Sequence, residues 1–221
     1  KAAGATPVIV PMTESPELGL DINGIEKYIT PKTRVIVLNS PSNPAGSILS
    51  DDDLRHVGEL AKKHDLWIIS DEIYEYLSFD KPHTSLLKLM PELKERYILV
   101  NGMSKGFAMT GWRVGYAVGP MEVMKLVKSL QSHSSTCLPP FIEEAATWAL
   151  SQGSSLMTKE IAILKARKKV AVDCLKEIEG VDVIKPEGAF YVFVDVRKAL
   201  KKSDKFKDNE TLAFGEFLLL E

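Results

Sequence analysis

Three short segments carry residue types that could do chemistry together. In Asn101-Gly102-Met103-Ser104-Lys105-Gly106 a lysine stands just past an apolar run and between glycines. Desolvation there favours the neutral amine, the form that attacks a carbonyl to make a Schiff base. Arg113 follows eight positions later, in Thr110-Gly111-Trp112-Arg113-Val114-Gly115, and its planar fork suits a phosphate. A lone lysine is ordinarily a solvated surface residue, but here Gly, Ser, Lys, Gly, Trp, Arg and Gly are specified together. The second segment is Ile69-Ser70-Asp71-Glu72-Ile73-Tyr74. A carboxylate ending a buried strand is costly unless a cation meets it; the plainer reading is an Asp that caps the next helix, with Tyr74 packing one turn on. The third, Asn39-Ser40-Pro41-Ser42-Asn43-Pro44-Ala45-Gly46, has two X-Pro pairs and a glycine, which describe a sharp, rigid loop. It is either a turn before a helix or a mount that holds Asn43 toward a ligand.

Each segment directly follows an expected strand. The apolar runs Pro7–Val10, Arg34–Leu38, Leu66–Ile69, Tyr97–Val100 and Val114–Val118 are short, rich in β-branched residues and bounded by turn residues. Continuous rather than alternating hydrophobicity predicts strands covered on both faces, as in α/β sheets. Open sheets of that class place ligands at their carboxyl edge. Between the second and third runs Ser50 and Asp53 can form a capping box, Asp51 to Asp53 suit the positive helix end, and Leu54, Val57 and Ala61 share one face. Further on, Ile161, Leu164, Ala171, Leu175 and Ile178 predict a long helix over 157–179. Two more strands are expected, Val181–Ile184 and Phe190–Val194, around the turn Pro186-Glu187-Gly188. The basic stretch Arg197 to Lys207 reads as a solvated helix end and loop rather than an anion patch.

The chain has 221 residues, with 28 Lys+Arg against 30 Asp+Glu, and this near balance gives no electrostatic reason to expect nucleic acid or membrane as partner. With 45% hydrophobic and 26% charged residues it can build an ordinary globular core, which excludes disordered and collagen-like chains. Cys137 and Cys174 form no C-x-x-C, so neither a disulfide framework nor a metal site is expected, and a reducing cytoplasm is the simplest location. No run approaches the roughly 20 apolar residues of a membrane span. The chain opens at Lys1, in what reads as mid-fold, and is expected to be a fragment.

Taken together the motifs resemble the class I/II family of pyridoxal-phosphate aminotransferases. Gly102-Met103-Ser104-Lys105 with Thr110-Gly111-Trp112-Arg113 is similar to that family's lysine attachment signature. Asn43-Pro44-Ala45-Gly46 resembles its Asn-Pro-Thr-Gly loop with Ala45 in the usual Thr place, and Asp71-Glu72-Ile73-Tyr74 its strand-end Asp-x-x-Tyr element. Pro186-Glu187-Gly188-Ala189-Phe190-Tyr191 resembles its small-domain strand. The motifs follow the family's order over essentially the whole chain, and Ala108-Met109-Thr110-Gly111-Trp112-Arg113 is closest to the bacterial aspartate/aromatic subgroup.

The resemblance implies an α/β fold: a mixed, mostly parallel sheet sandwiched by helices, plus part of a smaller α+β C-terminal domain. It divides the chain into a large domain over 1–155 that lacks its N-terminal part, an interdomain helix over 156–180 and a partial small domain over 181–221. It implies pyridoxal 5'-phosphate as cofactor and no metal, with Lys105 forming the Schiff base and shuttling the substrate proton. Asp71 would pair with the pyridine nitrogen, Tyr74 and Asn43 would bond the ring 3-oxygen, and Arg113 would bind the phosphate. Ser104 is a further cofactor-binding candidate; many relatives carry their hydroxyl three residues before the lysine, where this chain has Gly102. The implied reaction moves an amino group from an L-amino acid, aspartate or aromatic favoured, to a 2-oxo acid such as 2-oxoglutarate, in a cytoplasmic homodimer. Another pyridoxal-phosphate enzyme such as a β-lyase, or a regulatory domain that senses the cofactor, would use the same motifs. The family's stacking aromatic, phosphate loop, partner-subunit Tyr and α-carboxylate Arg find no match, so the isolated chain is expected to be inactive.

Overall fold

The computed structural model describes residues 3–13, 21, 24–201 and 210–220. Its elements run β1 (Val35–Asn39), α1 (Asp51–Lys63), β2 (Trp67–Asp71), α2 (Leu86–Leu89), β3 (Tyr97–Gly102), α3 (Met103–Gly106) and β4 (Gly115–Val118). There follow α4 (Met121–Ser134), α5 (Pro140–Gln152), α6 (Thr158–Lys176), β5 (Asp182–Ile184), β6 (Phe193–Asp195), α7 (Arg197–Leu200) and α8 (Glu210–Leu220). β1 to β4 form one sheet in chain order; the first three strands are parallel and β4 returns antiparallel to β3. β5 and β6 form a separate antiparallel pair. This is a mixed, mostly parallel α/β sheet with flanking helices.

Local chemistry explains the best-defined helix. Ser50 Oγ accepts the Asp53 amide at 3.1 Å while Asp53 Oδ2 accepts the Ser50 amide at 2.9 Å, closing the capping box. Leu54, Val57, Leu60 and Ala61 then face inward onto Leu38, Ile68 and Tyr97, and this cluster is the main core. Coverage of the sheet is uneven. Val37 of β1 is 69% exposed and Val118 of β4 55%, so the expected two-sided burial fails at both edges of the sheet, while β2 is buried or half-buried along its length.

Some expected elements differ. Pro7–Val10 forms no strand: among the described residues it has no ladder partner, and Val8 and Ile9 lie exposed with only Val10 touching the core. An apolar run becomes a strand only where a neighbour meets its backbone groups. The strand expected from Phe190 starts at Phe193, because Ala189 takes a left-handed conformation (φ 57°) and the turn extends through Phe190. The long helix appears as α6, yet only Ile161 and Leu164 of its apolar row pack against the core clusters, and Ile178 lies beyond its end and exposed. α4 and α5 are additional to the elements expected. α4 buries no residue, so its apolar positions gave no clear core-facing stripe. Of the basic stretch, residues 202–207 lie outside the described residues.

Ile68, fully buried at the centre of β2, tests this core. Ile68→Ala should lower the stability of the full chain by about 2–5 kcal/mol, the usual cost of such a cavity. Denaturant titration reads it as a lower midpoint with unchanged slope.

Candidate functional site

β1 and β2 end side by side, with Asn39 paired to Asp71 across the ladder, and Asp71 paired in turn to Val100 of β3. The three loops that follow these strands therefore leave from one edge of the sheet. Asn39 ties two of them together. Its side-chain amide donates to the Asp71 carbonyl at 3.3 Å, and its Oδ1 accepts the Asn43 amide at 2.8 Å. The Ser40 amide donates to the same Asp71 carbonyl at 3.2 Å.

Asp71 is half-buried; its Oδ1 accepts the Ile73 amide at 3.2 Å, and among the described residues no Lys, Arg or His forms an ion pair with it. The cation that would offset its burial is not supplied by this segment's neighbours. Tyr74 is buried in the next turn, with its hydroxyl 2.7 Å from that of Tyr191. Burial, the Tyr191 hydroxyl and the Asp71 charge all push its pKa well above that of a free tyrosine, while a hydrogen bond from the Asn43 side chain works the other way. Tyr74 is thus a protonated donor at any physiological pH.

Lys105 sits in the single turn of α3, with its ammonium 5.0 Å from the centre of the Phe190 ring. Phe190 in turn packs edge-on against Tyr74, with ring centres 5.5 Å apart. Lys105, Tyr74, Asn43 and Asp71 are accordingly gathered around one aromatic cluster. Gly106 permits this, since a Cβ there would fall 2.8 Å from Tyr76 Cδ2. Arg113 stands apart: it is exposed, left-handed (φ 55°), and donates to the Thr110 carbonyl at 3.1 Å, with no hydrogen bond or ion pair to the other four. Ser104 engages through its backbone, its carbonyl accepting the Thr110 hydroxyl at 2.8 Å.

Three residues given no role from sequence prove to belong here: Asn39, Phe190 and Tyr191. The signals were present, since Asn39 opens the double-proline loop and the two aromatics follow the Pro-Glu-Gly turn. Their targets, 32 and 117 positions away along the chain, were not visible.

Behind the site lies a second, closed carboxylate. Glu72 Oε1 accepts from Ser70 Oγ (2.9 Å), Ser85 Oγ (3.0 Å) and the Tyr97 hydroxyl (2.5 Å), and Oε2 meets His83 Nε2 at 2.9 Å. Burial alone would raise its pKa, but the bonds from His83 and Tyr97 outweigh it and hold the carboxyl below its ordinary value. Glu75, one turn on, is pushed the other way by burial, with Asn101 Nδ2 donating to it at 2.8 Å.

An open α/β sheet that gathers a lysine, an acid and two hydrogen-bonding side chains at its carboxyl edge has the layout in which sheets of this class hold ligands. Residues 1–218 match the family model of the class I and II aminotransferases. The chain belongs to that family. It is 38% identical to an aspartate aminotransferase of Geobacillus stearothermophilus over 90% of its length and 51% of that protein's. It is 38% identical to aromatic-amino-acid aminotransferase 2 of Thermococcus litoralis over 93% and 53% respectively. Among solved structures, the aspartate aminotransferase of Rhizobium meliloti superposes with a TM-score of 0.85 at 34% identity, covering 92% of this chain and 52% of that one. The aromatic aminotransferase of Pyrococcus horikoshii gives 0.81 at 38% identity, over 87% and 52%. The chain thus spans about half the length of the relatives it matches.

The Glu72 cluster sets an acid limit on the site's support. Because the folded-state pKa lies below the ordinary 4.5, the charged carboxylate stabilises the fold fully above that value, and the contribution is lost as pH falls through the lower folded pKa. Glu72→Gln should reduce stability near neutrality and flatten its fall below about pH 4.5. Urea midpoints measured across pH 3 to 7 in both proteins check this.

Proposed function

We propose that this chain forms part of a pyridoxal-phosphate-dependent aminotransferase. The observation that carries the reading is the convergence of Lys105, Tyr74, Asn43 and Asp71, which has no ion-pair partner among the described residues, at the carboxyl edge of the sheet. These residues fit the cofactor by donor chemistry: a carboxylate awaiting a cation, a hydroxyl that remains protonated, and an amine held against an aromatic face. When bound, the cofactor supplies an aldehyde that takes the amino group and a ring that withdraws electrons from the reacting carbon.

Each residue then has a task its chemistry allows. Asp71 accepts the pyridine N–H and keeps that nitrogen protonated. Tyr74 donates to the ring 3-oxygen, and Asn43 shares that contact. Lys105 would hold the cofactor through its amine and would serve as the base and acid for the proton at the substrate Cα. Arg113 and Ser104 serve the phosphate side. Among the described residues Arg113 bonds only the Thr110 carbonyl, which leaves most of its guanidinium available for that task. The amino donor is an L-amino acid, aspartate or aromatic, and the acceptor a 2-oxo acid such as 2-oxoglutarate; kinship with an aspartate aminotransferase and an aromatic-amino-acid aminotransferase supports this choice. The same family membership supports a cytoplasmic homodimer. Among the described residues no helix is long and apolar enough to cross a membrane. We assign residues 1–155 to the large cofactor-binding domain, 156–180 to the interdomain helix and 181–221 to part of the small domain.

Two measurements on the intact enzyme test the assignment. Borohydride reduction of the cofactor-loaded protein, followed by peptide mapping, should place the label on Lys105; a label on Lys125 or Lys128 would overturn its role. Asp71→Asn keeps the size and removes the charge, and should cost roughly 3–5 kcal/mol of transition-state stabilisation, several powers of ten in turnover. Near-normal turnover would leave Asp71 as a strand-end cap.

A further inference from the structure

Pro186–Ala189 is a turn locked into the site from two sides. The amides of Glu187 and Gly188 both donate to the Gly46 carbonyl at 2.8 Å, the Ala189 amide donates to the Leu77 carbonyl at 2.7 Å, and the Phe79 amide donates back to the Glu187 carbonyl at 2.9 Å. The Glu187 carboxylate accepts the Ile48 amide at 2.9 Å as well. There is no slack in this joint: a Cβ at Gly188 would lie 2.8 Å from the Leu77 carbonyl oxygen and 2.9 Å from Pro41 Cβ. The two residues that leave it, Phe190 and Tyr191, are therefore aimed, and both rings meet Tyr74 edge-on at 5.5 and 5.8 Å.

We infer that Tyr191 is a positioning residue whose hydroxyl donates to Tyr74 and so frees the Tyr74 proton for the cofactor 3-oxygen. This rests on the pyridoxal-phosphate reading and extends it to a residue that reading does not use. A phenol has one proton to give and an oxygen that can accept. At 2.7 Å the two hydroxyls are at ordinary hydrogen-bonding distance, so one must donate to the other. If Tyr74 donated to Tyr191 its proton would be spent within the protein. If Tyr191 donates, Tyr74 accepts from Tyr191 and from the Asn43 side chain, and its own proton is left for a ligand. Burial and the neighbouring Asp71 charge hold that proton in place, and a donor that is itself accepting a hydrogen bond is polarised into a stronger one. The order is Tyr191 to Tyr74 to ring oxygen.

The test is the pH midpoint of the visible absorbance change of the full chain loaded with pyridoxal phosphate. Donation to the ring oxygen stabilises its anionic form, so weaker donation moves the midpoint upward. Tyr191→Phe should raise the midpoint by about half a pH unit to one unit. Tyr74→Phe should raise it further, and adding Tyr191→Phe to Tyr74→Phe should then change nothing, because the relay is already cut. An unmoved midpoint in Tyr191→Phe overturns the inference, as does an equal shift in both backgrounds, which would mark Tyr191 as acting independently of Tyr74. Absence of any visible cofactor band in the wild-type chain would instead overturn the pyridoxal-phosphate reading, and the inference with it.

Discussion

The site depends on where β1 and β2 stop. Their parallel register brings Asn39 opposite Asp71 at the last rung, and the Asn39 side chain converts that rung into a joint between two loops. Asn43 can reach Tyr74 because the loop bearing it is held by Asn39, while Tyr74 is held by the turn that Asp71 begins. A slip of one residue in that register would turn Asp71 and Asn39 to opposite faces and dissolve the site.

At the end of β2 two neighbouring carboxylates, Asp71 on its last rung and Glu72 just beyond it, meet opposite fates. Asp71 faces the edge where the loops gather, half-buried and without an ion-pair partner among the described residues. Glu72 turns inward, where two serines, a tyrosine and a histidine meet both its oxygens. The fully bonded acid stiffens the support between β2, the segment before α2 and β3; Asp71 holds only the Ile73 amide among the described residues. Burial is tolerable for Glu72 because four hydrogen bonds replace the water it loses, and for Asp71 because it is only half-buried and accepts the Ile73 amide.

The small antiparallel pair contributes to the same edge from far along the chain. Its entry turn is wedged between the double-proline loop and the turn after Tyr74, so that Phe190 covers the Lys105 ammonium and Tyr191 meets the Tyr74 hydroxyl. Four segments with no sequence proximity thereby share one aromatic cluster. Rigidity comes from backbone hydrogen bonds, from the absence of room for any side chain at Gly188, and from the packing of Ala189 against Tyr74 and Leu77.

Local sequence determined much of this. The capping box of α1, three of the parallel-sheet strands, the long helix and the three chemistry-bearing loops follow from short-range rules, because caps, turn residues and apolar runs act within a few positions of themselves. The family itself was legible, since its motifs are contiguous. Tertiary structure decided what contiguity cannot encode. Pro7–Val10 is as apolar as β1, but no neighbouring strand meets its backbone among the described residues. The strand expected at Phe190 begins at Phe193 because a turn anchored to Gly46 and Leu77 extends over Phe190, releasing the aromatics from the ladder. Asn39, Phe190 and Tyr191 gained their places only when chain segments distant in sequence were brought within hydrogen-bonding and ring-contact distance, a condition set by register and packing and not by any residue alone.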